Sequence, residues 1–114
     1  MVERELETDL TALLKAAADP TRRAVIQQLG RGTAAVSELA EPFDMALPSF
    51  MKHIGVLERS GLISSSKTGR VRTCEIQPDK LAAAETWLDE QRVLWEDRTD
   101  RLANYAETLV AKKK

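Results

Sequence analysis

Between Val36 and Ile76 the hydrophobic period of the chain changes from helical to strand-like, and this switch constrains the fold more than any other feature. A short helical pattern, a break and a second helical pattern precede two strand-like runs that flank a basic, glycine-containing tip. Apolar residues at three- and four-residue spacing mark helices with one buried face, whereas short apolar runs rich in β-branched residues between turn signals mark strands. The single histidine, His53, and several basic residues lie in the same stretch, a combination that suits a DNA-reading surface.

Charge supports that reading only when it is resolved along the chain. The 114 residues carry a net charge of -1, so there is no global excess of base. From Leu47 to Thr73, however, five bases (Lys52, Arg59, Lys67, Arg70, Arg72) stand against the single acid Glu58. From Pro78 to Ala111, eight acids stand against four bases. A polyanion would therefore meet the middle of the chain and avoid its end. With 43% apolar residues, the length fits one globular domain covering residues 1–114.

Cys74 is the only cysteine and cannot form an intramolecular disulfide, so the fold must rest on packing, as is usual in a reducing cytosol. No apolar run is long enough to span a membrane, and the acidic start from Met1 to Asp9 is unlike a signal peptide. These features predict a soluble cytoplasmic protein with no membrane partner. Catalysis has little to build on: one histidine, one cysteine, no glycine-rich phosphate loop and no distinctive carboxylate pair.

Leu6, Leu10, Leu13, Leu14 and Ala17 predict a first amphipathic helix ending near Ala18. Asp19 and Pro20 read as the cap and first-turn proline of a second helix, which carries Val25, Ile26 and Leu29 and stops at Gly30 as a left-handed terminator. Arg31 to Ala35 reads as a loop, and Ser37 as the cap of a brief third helix bearing Leu39, Ala40 and Phe43, bent or shortened by Pro42. Pro48 opens a fourth helix with a core stripe of Phe50, Ile54 and Leu57 ending at Gly61. Its opposite side shows Ser49, Lys52, His53, Gly55 and Val56, side chains small or polar enough to approach a major groove. Gly55 in mid-helix suggests a close approach by DNA or by another backbone. The runs Leu62 to Ser66 and Val71 to Ile76 predict a hairpin with Lys67, Thr68, Gly69 and Arg70 at its tip.

The last segment, Asp79 to Ala111, repeats Leu81, Leu88, Trp95, Leu102 and Leu109 at intervals of seven, with Ala84, Trp87, Leu94, Tyr105 and Ala106 widening the stripe. At 1.5 Å per residue such a helix runs roughly 45 Å, more than a domain this small can cover with its own core. The simplest cover is the same helix of a second copy, joined by the sticky face of the first helix in a twofold interface. Leu6, Leu10, Leu13, Leu88, Trp95, Leu102 and Leu109 are the predicted interface residues.

Ala18-Asp-Pro-Thr-Arg-Arg-Ala24, Val36-Ser-Glu-Leu-Ala40, Pro48 to Leu57 with its Lys52-His53 pair, and Gly61-Leu62-Ile63 followed by Gly69-Arg70 strongly resemble the ArsR-type transcriptional regulators of bacteria. The resemblance covers about Leu6 to Leu109. It implies a mainly α fold with a small β-hairpin wing, a winged helix-turn-helix of about five helices dimerised through its first and last helices. The partner implied is double-stranded DNA, with the fourth helix in the major groove, the wing on the adjacent backbone, and repression of transcription at an inverted-repeat operator. By position, Ala46, Leu47, Ser49, Lys52 and His53 fall on the reading helix, and Lys67, Arg70 and Arg72 on the wing.

The chain also departs from that family's pattern. Its third helix, Ser37-Glu-Leu-Ala-Glu-Pro-Phe43, lacks the cysteine pair through which many relatives sense metals, and no histidine follows His53. Carboxylates alone suit hard ions and not Zn²⁺, so no metal and no cofactor is expected. Ala46 and Leu47 stand where relatives often carry a serine cap and a glutamine, leaving Leu47 to touch a thymine methyl or to pack. Two alternatives remain open at this point: a winged-helix module whose long helix and hairpin bind a protein, and a repressor switched by oxidation of Cys74. Trp87 and Trp95 fit either an organic-effector pocket or, as is commoner at helical spacing, core and interface anchors.

Overall fold

In the computed structural model, residues 2–113 are described, with side chains described from 10 to 111. Eight elements follow in order: α1 (Val2–Ala17), α2 (Pro20–Leu29), β1 (Ala34–Ala35), α3 (Val36–Ala40), α4 (Leu47–Arg59), β2 (Ile63–Thr68), β3 (Val71–Ile76) and α5 (Pro78–Lys113). Mainly α architecture with a small antiparallel wing is thus what the chain adopts. The contacts divide it into two units, one reaching to Ala82 and one beginning at Ala83.

The first unit holds the core. Leu13 and Ala16 of α1, Val25 and Leu29 of α2, Val36 and Leu39 of α3, Phe50, Ile54 and Leu57 of α4, and Leu62, Ile63 and Cys74 of the hairpin are all buried. Phe43, just beyond α3, stacks on Phe50 with ring centroids 5.7 Å apart, tying the turn between α3 and α4 to the core. The Asp19 carboxylate accepts a hydrogen bond from the Arg22 amide at 3.1 Å, so α2 is capped as its sequence predicts. Past α4, Ser60 is buried but satisfied: its hydroxyl donates to the Leu57 carbonyl and accepts from the Leu62 amide. Gly61 then turns the chain at φ 83°, a conformation costly for any residue with a Cβ, and β2 begins two residues later.

Several local expectations are corrected. Gly30 is right-handed at φ -62°, and the positive φ falls instead on Gly32. Ala34 and Ala35, read as loop, form a short strand, because two small residues carry no periodic signal yet pair with Cys74 and Thr73 of β3. The sheet order is therefore β1-β3-β2. Helix α3 begins at Val36 with Ala35 at its cap, so Ser37 lies inside it and caps nothing, and it ends before Pro42. In the hairpin Lys67 pairs with Arg72 and Thr68 with Val71, leaving a two-residue turn of Gly69, at φ 62°, and Arg70. The three atoms nearest a Cβ built at Gly55 all belong to the Arg59 guanidinium, the first at 3.1 Å.

Leu13 is 4% exposed, so its side chain belongs to the core of this chain, which corrects its expected place at an interface with a second copy. Leu10 is half-buried and Leu14 exposed, while the side chain of Leu6 lies outside the described residues. The second unit is the continuation of α5, on which Leu88, Trp95, Leu102 and Leu109 are all exposed, Trp95 and Leu102 by 64% and 66%. Ion pairs from Arg92 to Asp89 and Glu96, and from Arg101 to Asp97, run along the same helix.

Phe50 is fully buried at the centre of α4's inner face. Phe50→Ala should cost about 3–5 kcal/mol of unfolding free energy through lost transfer and an unfilled cavity, measured as a lower urea midpoint with an unchanged slope.

Candidate nucleic-acid interface

Burying Phe50, Ile54 and Leu57 fixes the rotation of α4, and the helical period then decides which residues meet solvent. Ala46, Leu47, Ser49 and Lys52 are exposed at and near its N-terminal end, Leu47 by 57%. No side chain caps this end. An apolar group, a hydroxyl and an ammonium thus share one free surface, with unpaired helical amides beside them.

The hairpin adds charge. Lys67 and Arg72 sit directly opposite each other in register and share the sheet face that carries Ser65 and Cys74 further down. Two cations so placed repel one another unless an anion lies between or beside them. Glu58 of α4 supplies one: its carboxylate is 3.6 Å from the Arg72 guanidinium and accepts a hydrogen bond from the Ser65 hydroxyl, to which Arg72 also donates. Arg72 is thereby tied to α4, whereas Lys67 and Arg70 are exposed. The α4–β2 junction lies at the base of the hairpin and the basic tip at its far end.

His53 is positioned differently. Its ring is half-buried, with Nδ1 3.1 Å from Nη1 of Arg22 and 3.8 Å from the Asp19 carboxylate. Arg22 also donates from Nε to the Ala16 carbonyl at 2.7 Å and from Nη2 to the Lys15 carbonyl at 3.0 Å. Sequence reasoning placed His53 on the reading helix but missed this cluster. The motif Asp19-Pro20-Thr21-Arg22 was visible, yet nothing in a linear sequence shows that Arg22 meets a ring 31 positions away.

For Asp19, burial pushes the carboxyl pKa up, but the Arg22 amide and the nearby His53 and Arg22 outweigh it and hold the group below its usual value. Cys74 is fully buried, and its thiol is pushed up by burial and by Glu58, with Arg72 opposing. It therefore lacks both the exposure and the thiolate character that a redox sensor needs. Among the described residues, no three histidine, cysteine or acidic side chains converge as a metal site, and no helix is long and apolar enough to cross a membrane.

Residues 17–65 match a helix-turn-helix domain family, a span that runs from the end of α1 into β2. The HTH-type transcriptional regulator Rv2034 of Mycobacterium tuberculosis is 35% identical over 95 residues, covering 83% of each chain. A crystal structure of an ArsR family transcriptional regulator superposes with a TM-score of 0.76 at 60% identity, over 79% of this chain and 93% of that one. The chain belongs to the ArsR family of transcriptional regulators. The Bacillus subtilis transcriptional repressor SdpR is also similar, at 28% identity over 76 residues, covering 67% of this chain and 84% of that one. In this ArsR-family chain α3 and α4 form the helix-turn-helix and β2–β3 the wing, so the DNA-binding assignment and the fold agree.

The Asp19 cap carries its own pH signature. A carboxyl whose pKa is lowered by folding stabilises the fold above its unfolded pKa, and that gain disappears as pH falls through the lowered value. Asp19→Ala should thus cost about 1 kcal/mol near neutrality. The gap from wild type should close below about pH 4, as read by urea unfolding at stepped pH.

Proposed function

We propose that the protein is a homodimeric, sequence-specific DNA-binding regulator that represses transcription by occupying an inverted-repeat operator. The observation that carries this reading is the joint exposure of the α4 N-terminal surface and the basic wing tip, on elements whose inner faces are buried. Ser49, Lys52 and Leu47 supply the reading surface, with Ala46 allowing a close approach. Lys67 and Arg70 neutralise backbone phosphates, and Arg72 shares its charge between phosphate and Glu58.

Dimerisation is supported by the seven-residue stripe on α5. Leu88, Trp95, Leu102 and Leu109 are exposed in the single chain, and a 36-residue helix is about 54 Å long. A second copy offers an identical stripe, and twofold pairing covers both at once. On α1, Leu14 is exposed and Leu10 half-buried, a second apolar contribution to pairing. Repression is the activity named for the Bacillus subtilis relative. On the operator, affinity comes from phosphates and discrimination from base edges.

Salt titration tests the assignment. With six to eight phosphates neutralised per dimer, the log-log dependence of binding on salt should have a slope of about -5 to -7. Arg70→Ala should reduce that slope by about 2 per dimer and weaken operator and scrambled duplex alike. Mobility shifts over a range of salt concentrations check both, and salt-independent binding would contradict the basic surface.

A further inference from the structure

Arg22 has an arrangement that DNA contact does not explain. Three of its donors are engaged: Nε with the Ala16 carbonyl, Nη2 with the Lys15 carbonyl, and Nη1 with Nδ1 of His53. The two carbonyls belong to the last turn of α1, where helical acceptors lack intrahelical partners. One side chain of α2 thus caps α1 and holds α4. Arginine has donors only, so the ring nitrogen facing it must be the acceptor. His53 is consequently neutral in this arrangement, with its proton on Nε2.

We propose that Arg22 is a positioning residue for DNA reading, acting through His53: it fixes that ring in the neutral form protonated at Nε2 and anchors the N-terminal half of α4 to the α1–α2 junction. The proposal rests on the DNA-binding reading above and extends it to residues away from the exposed face. His53 lies one turn beyond Ser49 and next to Lys52, so a shift of α4 at this anchor moves both exposed residues. Base recognition tolerates little displacement, because hydrogen bonds to base edges weaken steeply with distance and angle.

The charged groups facing the ring are Arg22 from α2 and Asp19 from the turn before it, while α1 contributes the Lys15 and Ala16 carbonyls to Arg22. Protonating Nδ1 removes the only acceptor offered to Nη1 and sets two cations side by side. Asp19, at 3.8 Å, then becomes the ring's partner in place of Arg22. The anchor of α4 therefore requires an Nδ1 without a proton.

His53 is the sole histidine, so nitrogen-15 spectra of the full chain contain one imidazole. At about pH 7.5, Nδ1 should be bare and Nε2 protonated. In Arg22→Ala the ring should exchange between tautomers. The DNA readout uses the duplex recovered by selection from fragmented genomic DNA, beside its scrambled counterpart. Arg22→Ala should lose about tenfold of the wild-type preference for the selected duplex at about pH 7.5.

Because Arg22→Ala can fail to fold, His53→Asn is the second variant: its amide oxygen can accept from Arg22 but takes no proton. It should keep preference within about threefold at the same pH. A proton on Nδ1 at about pH 7.5, or a folded Arg22→Ala that keeps the wild-type preference, overturns the proposal. If no duplex is preferred at any pH, the DNA-reading assignment itself fails and the functional part of the proposal falls with it; the tautomer measurement tells that case apart from failure of the Arg22–His53 contact alone.

Discussion

The burial of Phe50, Ile54 and Leu57 along one side of α4 is the constraint on which the proposed reading surface depends. Three large side chains removed from water contribute several kcal/mol between them and leave the helix no rotational freedom about its axis. Once that face is chosen, Ser49 and Lys52 must point outward and His53 must lie at the flank, toward α2. Phe43 stacked on Phe50 extends the same constraint to the turn between α3 and α4. The proposed DNA-reading surface is the remainder left by core packing.

Polar contacts then hold α4 at its middle and its close. At mid-helix, His53 engages Arg22 and the α1–α2 junction. Near its close, Glu58 engages Ser65 and Arg72 of the wing. Apolar packing is non-directional and permits small slides, whereas hydrogen bonds and ion pairs set distance and angle. Recognition needs the second kind of restraint, since helix and wing must meet groove and backbone in a fixed relation. Glu58, the lone acid in a basic stretch, also separates the functions of the bases: Arg72 is partly neutralised within the molecule while Lys67 and Arg70 keep their charge for an external anion.

Much of this was legible in the order of residues. Helical periodicity, proline at the start of α2 and α4 and glycine after α4 placed the helices, because these signals are local. Family membership was legible from the motifs between Ala18 and Arg70, and the comparisons agree with it. The errors share a cause. The strand at Ala34–Ala35 exists only through pairing with β3, and the positive φ moved from Gly30 to Gly32 because β1 sets where the chain must turn. Leu13 satisfies the stripe of an interface helix and the stripe of a core helix equally well, and only the positions of α2 and α4 decide between them. The Arg22–His53 and Glu58–Arg72 contacts need three-dimensional placement, and no spacing rule predicts them.

Local charge and a fixed α4 yield one reading head; recognition of an inverted repeat needs two, related by the symmetry that the exposed α5 stripe invites. Hydroxyl-radical footprinting of the selected duplex addresses this central claim most directly. The account predicts two protected patches on each strand, related by a twofold axis and separated by about one helical turn, roughly 34 Å. A single asymmetric patch confined to one groove would contradict it.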